Sequence, residues 1–99
     1  MASQRNYNDL SIRDLIRQVL KNGGMEKKLD EMDTIQCYHD LMGSFISGKT
    51  REIYLRDKTL VIRMDSGVLK EELSYGKERI RELINEKMGK TVVEEVQVW

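Results

Sequence analysis

The sequence predicts a small α+β domain, with helices first, then a β-hairpin, a long helix and a final strand. Three observations predict it. Apolar residues recur at helical spacing from Ile12 to Leu20 and again towards Ile46. The period changes to two between Thr50 and Met64, across an Asp57-Lys58 turn. A further helical stretch then leads to a valine-rich run from Thr91 to Trp99. Ninety-nine residues with 39% apolar content suffice for one core and not for two, and no repeat, low-complexity tract or proline marks a domain break.

The first helix spans about Ile12 to Lys21. Ser11 is placed to cap the backbone N–H of Asp14, whose carboxylate can answer as in a capping box, and Leu10 and Leu15 supply the flanking staple. Ile12, Leu15, Ile16, Val19 and Leu20 share one face, and Asn22-Gly23-Gly24 tolerates the positive φ of a helix stop. A second helical region opens near Met25 and either runs on as one bent helix or restarts at Asp33, which has capping-box spacing to Gln36. Met25, Leu29 and Met32 form one stripe; Ile35, Tyr38, Leu41, Met42, Phe45 and Ile46 form a wider one, and both read as core-facing. Glycine inside a helix costs about 1 kcal/mol relative to alanine, so Gly43 marks close packing or a helix end.

In the hairpin, Ile53 and Leu55 share the core face of the first strand, and Leu60, Ile62 and Met64 that of the second. Glu52, Tyr54, Arg56, Val61 and Arg63 lie on the opposite face. Ser66 is placed to cap a third main helix with apolar positions Leu69, Leu73, Ile80, Leu83, Ile84 and Met88 and with Gly89 at its end. Gly76 falls inside it, as a close approach or a weak point. In the last strand Val96 and Val98 face the core, and Gln97 and Trp99 face away. The first two helices join the third in covering one face of the sheet.

Composition excludes several classes of function. Seventeen basic and seventeen acidic residues cancel, so no global field draws the chain to nucleic acid or to an anionic membrane. A single cysteine, Cys37, excludes an internal disulfide, and with a single histidine, His39, no Cys/His zinc site can form within one chain. No stretch approaches the roughly eighteen apolar residues that span a bilayer. The polar start Met1 to Asn6 leads into no signal-peptide core, so a cytoplasmic location without a membrane partner is expected.

Catalysis is not expected either. Cys37 and His39 are two residues apart and diverge on a helix, so they do not meet as nucleophile and base. Asp30, Asp33 and Asp40 are explained as caps and solvated charges. Gly43 to Thr50 spells GxxxxGK[ST], but in a helix leading into a strand, the reverse of the phosphate-cradling order. The expectation is no enzyme, no catalytic residue, no metal and no cofactor.

Two surfaces carry the binding chemistry. Lys70, Lys77 and Arg81, at spacings of seven and four, set a basic stripe on the third main helix, which Glu78 and Glu82 would pair in the plainer reading. Tyr54, Arg56, Val61, Arg63 and Trp99 together make an aromatic and cationic sheet face, of a composition that stacks bases or binds a protein. Its plainer reading is another protein layer or simple edge exposure. That face, or an exposed strand edge, could also join two copies as a homodimer.

The run Tyr38-His39-Asp40-Leu41-Met42-Gly43 sets an aromatic residue five positions before a glycine. It is followed by the hairpin Ile53 to Ile62, the serine-started helix Asp65 to Leu73, and the closing valines Val93, Val96 and Val98. Over roughly residues 10 to 98 this pattern resembles the DciA-like family, with Tyr38 where the family usually has Trp and Lys58 where it often has Gly. The resemblance implies a KH-like α+β fold of order α-α-β-β-α-β, with a three-stranded sheet and helices packed on one face. Residues 1–9 would be a flexible N-terminus and residues 10–99 a single domain. The implied function is a non-enzymatic DNA-replication adaptor that binds the replicative helicase and assists its loading onto DNA. The alternative is a KH-like nucleic-acid-binding module without a loading role, its partner single-stranded or forked DNA. Nucleic acid would meet Arg56, Arg63, Lys70, Lys77 and Arg81, and a protein partner would meet Tyr54, Val61 and Trp99.

Overall fold

The computed structural model describes residue 12 and residues 14–99, so the expected Ser11 cap, the Leu10 staple and the N-terminal residues 1–9 lie outside the described residues. The chain divides into two compact units, Met1–Asp30 and Glu31–Trp99.

In the first unit, α1 covers residues 14–22, with residue 12 also helical. It stops by a Schellman arrangement. Gly24 takes a φ of 74°, the Met25 N–H donates to the Leu20 carbonyl at 2.7 Å, and the Gly24 N–H donates to the Lys21 carbonyl at 3.1 Å. Two carbonyls without helical partners are satisfied in this way. Ile12, Leu15, Ile16 and Val19 form the stripe expected from their spacing, yet all four are exposed. Expectation and structure part here for a physical reason: periodicity shows that a face is apolar, not which molecule covers it.

Helix α2 (Glu26–Gly48) passes through Asp33 without restarting and is interrupted at Gly43, where φ is 80° and ψ is 171°. Only glycine enters that backbone region readily. A Cβ there would meet nothing within 4 Å, so backbone conformation, and not the close packing the sequence suggested, selects the glycine. Cys37 and Tyr38 are buried, and Leu41, Met42 and Ile46 pack against the core. Met25, Met32 and Phe45 are exposed, contrary to the core-facing stripes expected of them.

The second unit continues with β1 (Thr50–Arg56), β2 (Thr59–Met64), α3 (Gly67–Tyr75), α4 (Lys77–Met88) and β3 (Glu95–Val98). The fold is the α+β class expected, with one more helix than expected. Gly76 leaves helical geometry at φ −96° and ψ 13°, and its N–H closes α3 onto the Glu72 and Leu73 carbonyls. The long helix of the sequence reading is therefore two helices. The Ser66 hydroxyl oxygen caps α3 as expected, accepting from the Leu69 N–H at 3.3 Å.

The sheet order is β1-β2-β3, with β1 antiparallel and β3 parallel to β2. Asp57 and Lys58 form the two-residue turn with φ of 48° and 65°, the positive values that match the twist of a tight hairpin. Strand β3 begins later than the expected Thr91. Val92 and Val93 are buried in the loop before it, held by the Asn85 side chain, whose Oδ1 accepts from both their N–H groups at 2.9 Å. The core gathers Cys37, Tyr38, Leu60, Ile62, Leu73, Ile80, Ile84, Val92, Val93 and Val96 on the helical side of the sheet.

Candidate functional site: the open face of the sheet

Strand register builds the open face in three rows. Arg56, Thr59 and Glu95 form one row, and Tyr54, Val61 and Gln97 the next. Glu52 and Arg63 form the third, and Trp99 extends it: its N–H donates to the Ile62 carbonyl at 2.8 Å and its carbonyl accepts from the Met64 N–H at 3.0 Å. The alternation of a strand thus brings together Tyr54, Arg56, Val61, Arg63 and Trp99 on one surface.

Val61 is 7% exposed although it lies outside the core cluster, so it forms the floor of this face and offers little contact area. The Arg56 guanidinium carbon lies 5.6 Å from the centre of the Tyr54 ring, within the range of a cation–π contact. Beside them opens a groove of about 300 Å³ lined by Tyr54, Arg56, Asp57, Thr59, Val61 and Gln97. Arg63 reaches Glu52 at 3.9 Å with both side chains more than half exposed, a pair that contributes little to stability but offsets the charge of Arg63. Trp99 is 56% exposed at the edge of the third row. Asp57 and Thr59 were not anticipated as part of the groove; their signal was the tight turn, which contributes Asp57 itself and the flanking Thr59 to the groove.

The helical cations do not join this surface. Lys70 belongs to α3, whereas Lys77 and Arg81 belong to α4, so the break at Gly76 dissolves the single stripe that spacings of seven and four implied. Arg81 donates to the Glu78 carboxylate at 3.2 and 3.0 Å, and Glu82 pairs with Arg79 at 3.4 Å. The five cationic candidates therefore divide between the open face and the helical layer.

The polar residues of α2 have structural employment. The Thr50 hydroxyl donates to the Ile46 carbonyl at 2.8 Å, which leaves its oxygen to accept from the Tyr38 hydroxyl at 2.9 Å. Burial pushes the Tyr38 phenol above its usual pKa, partly offset by that bond. Burial likewise raises the Cys37 thiol, the opposite of what a reactive thiolate needs. His39 Nδ1 lies 2.9 Å from the Ser47 oxygen, and the Ser47 hydroxyl donates to the His39 carbonyl at 3.4 Å, so the pair ties the helix across its Gly43 kink. Among the described residues no group of three His, Cys, Asp or Glu is placed to hold a metal ion, and no helix is long and apolar enough to cross a membrane.

No curated protein and no solved structure matches the chain. A family model described as "Dna[CI] antecedent, DciA" matches residues 11–98, which takes in the aromatic–glycine run of α2, the hairpin, the Ser66-capped helix and the valines of β3. The chain belongs to the DciA family.

Proposed function

We propose that this protein is a non-enzymatic adaptor of DNA replication that binds the replicative helicase in the cytoplasm and assists its loading onto DNA. The observation that carries this reading is the family match over residues 11–98. The second unit supports it with a sheet whose open face presents Tyr54 against a cationic Arg56 and, one row beyond Tyr54, an exposed Trp99, the residue types enriched where proteins meet. The KH-like reading rests on the family resemblance, and the α-β-β-α-α-β order of this unit is what the fold offers towards it.

The test is capture of the purified replicative helicase from the same organism by the full chain, followed by a loading assay on forked DNA. Association that weakens with a Tyr54→Ala, Trp99→Ala double variant supports the reading. A well-folded wild-type chain that neither binds the helicase nor stimulates loading overturns it.

A second reading, a KH-like nucleic-acid-binding module without a loading role, is favoured by one arrangement: the Arg56 guanidinium over the Tyr54 ring at the lip of the groove. Aromatic and guanidinium planes accept single-stranded bases. Arg63, on the same face, would then add a phosphate contact, whereas Lys70, Lys77 and Arg81 stand on the helical layer and take no part in it. This reading expects salt-sensitive binding whose slope falls by about one on Arg56→Ala, and salt-independent or absent binding to single-stranded and forked DNA overturns it.

A further inference from the structure

The longest strand of the sheet, β1, stands at its edge, and the hydrogen bonds on the far side of β2 reveal which of its backbone groups are free. Ile62 and Met64 turn their backbone groups towards β3, accepting from the Trp99 N–H and donating to the Trp99 carbonyl. In a pleated strand the groups of alternate residues point to opposite sides, so Val61 and Arg63 turn theirs towards β1. Their register partners Tyr54 and Glu52 use theirs in return. Ile53 and Leu55 are left with N–H and C=O groups directed to the outer edge, where among the described residues no further strand pairs.

This edge is self-complementary. Two copies of β1 laid antiparallel must set Ile53 and Leu55, which carry the outward groups, against each other or against themselves. Centred on Tyr54, the pairing sets Ile53 opposite Leu55, Tyr54 opposite Tyr54, and Glu52 opposite Arg56, the last of these twice by symmetry. Centred on Ile53, it sets Glu52 against Tyr54 and Thr50 against Arg56, with no charge pair. Centred on Leu55, it runs Ile53 against Asp57, which belongs to the turn and has positive φ. Opposite charges on facing positions stabilise a sheet and like charges destabilise it, so the Tyr54-centred register is selected.

We propose that two copies of this chain associate through their β1 edges, antiparallel and centred on Tyr54, into a continuous six-stranded sheet. The open faces then become one surface, with two Tyr54 rings at its middle and a groove on either side. An edge-to-edge contact buries less than the roughly 1,200 Å² of a stable interface, so the dimer is weak and concentration-dependent. This association is independent of whether the partner of the open face is a helicase or a nucleic acid.

Sedimentation equilibrium of the full chain over rising concentration tests it. The wild-type mass rises towards that of a dimer. Glu52→Arg and Arg56→Glu each weaken association by roughly tenfold or more, since each replaces two attractive pairs by two repulsive ones. The double charge swap restores association, a rescue that loss of folding cannot mimic. The register is read by cross-linking in a Cys37→Ser background. Tyr54→Cys forms an intermolecular disulfide on oxidation, because facing non-hydrogen-bonded residues sit within disulfide range, and Ile53→Cys does not. A monomer at every concentration overturns the proposal, as does a dimer indifferent to both charge reversals or cross-linked through position 53. Protection of the Ile53 and Leu55 amides only when a different protein is added also overturns it, in favour of a partner's strand at this edge.

Discussion

At the scale of single residues, Asn85 organises the loop that leads into β3. Its Oδ1 accepts from the Val92 and Val93 N–H groups, and its Nδ2 donates to the Val93 carbonyl at 2.8 Å, so one side chain satisfies three backbone groups of a buried loop. Asn85→Ala is expected to cost about 2–3 kcal/mol, read by urea denaturation, because those groups are left unpaired. Asn85→Asp keeps both acceptor bonds and is still destabilising, since its second oxygen is set against the Val93 carbonyl. Tyr38 gives a pH-dependent counterpart. Its phenol is buried and its pKa is raised, so above about pH 10 the unfolded chain ionises first and the native state loses stability. Tyr38→Phe loses the bond to Thr50 and costs about 1 kcal/mol near neutrality. That deficit should shrink as denaturation is repeated above pH 10, where only the wild type carries the penalty.

At the scale of elements, the hairpin holds a residue at odds with its conformation. Lys58 adopts a φ of 65°, a conformation that costs a side-chain-bearing residue about 1 kcal/mol or more. Lys58→Gly removes that cost, part of which is returned through the greater freedom of the unfolded chain. A net gain of about 0.5 kcal/mol, or roughly 3 °C in Tm, is expected in a thermal scan. The turn itself was legible in the sequence, as were the two strand faces and the Ser66 cap, because each depends on neighbours a few residues apart. Gly43 was legible as an anomaly but not as a kink, since both a helix end and a close contact place glycine in a helical pattern. The Gly76 break was obscured by apolar spacing that continues in phase from Leu73 to Ile80 across it. Asn85 and the buried Val92 and Val93 were not legible, because their pairing arises only when the loop folds back on α4. The candidate site followed the same rule: alternation placed Tyr54, Arg56, Val61, Arg63 and Trp99 on one face, whereas the depth of Val61 depends on its neighbours across the sheet.

At the scale of the whole molecule, the two compact units differ in what they bury. Leu15, Ile16 and Val19 of α1 are exposed, whereas β2 and α4 hold fully buried Leu60, Ile62 and Ile84. Local opening follows burial. Native-state hydrogen exchange should therefore find the amides of residues 14–22 exchanging roughly a hundredfold or more faster than those of β2 and α4, and equal protection would contradict it. The parallel pairing of β3 with β2 carries a kinetic consequence. The hairpin closes across two residues, a local event on a microsecond scale. Strand β3 can reach β2 only after α3, α4 and the Asn85-held loop have been brought round, and the Glu94 and Glu95 N–H groups then reach the Lys58 carbonyl at the tip of the hairpin. The entropy of closing that long connection falls on this step, so the turn that completes the first strand pair also waits, already formed, as the landing point for the last strand to arrive.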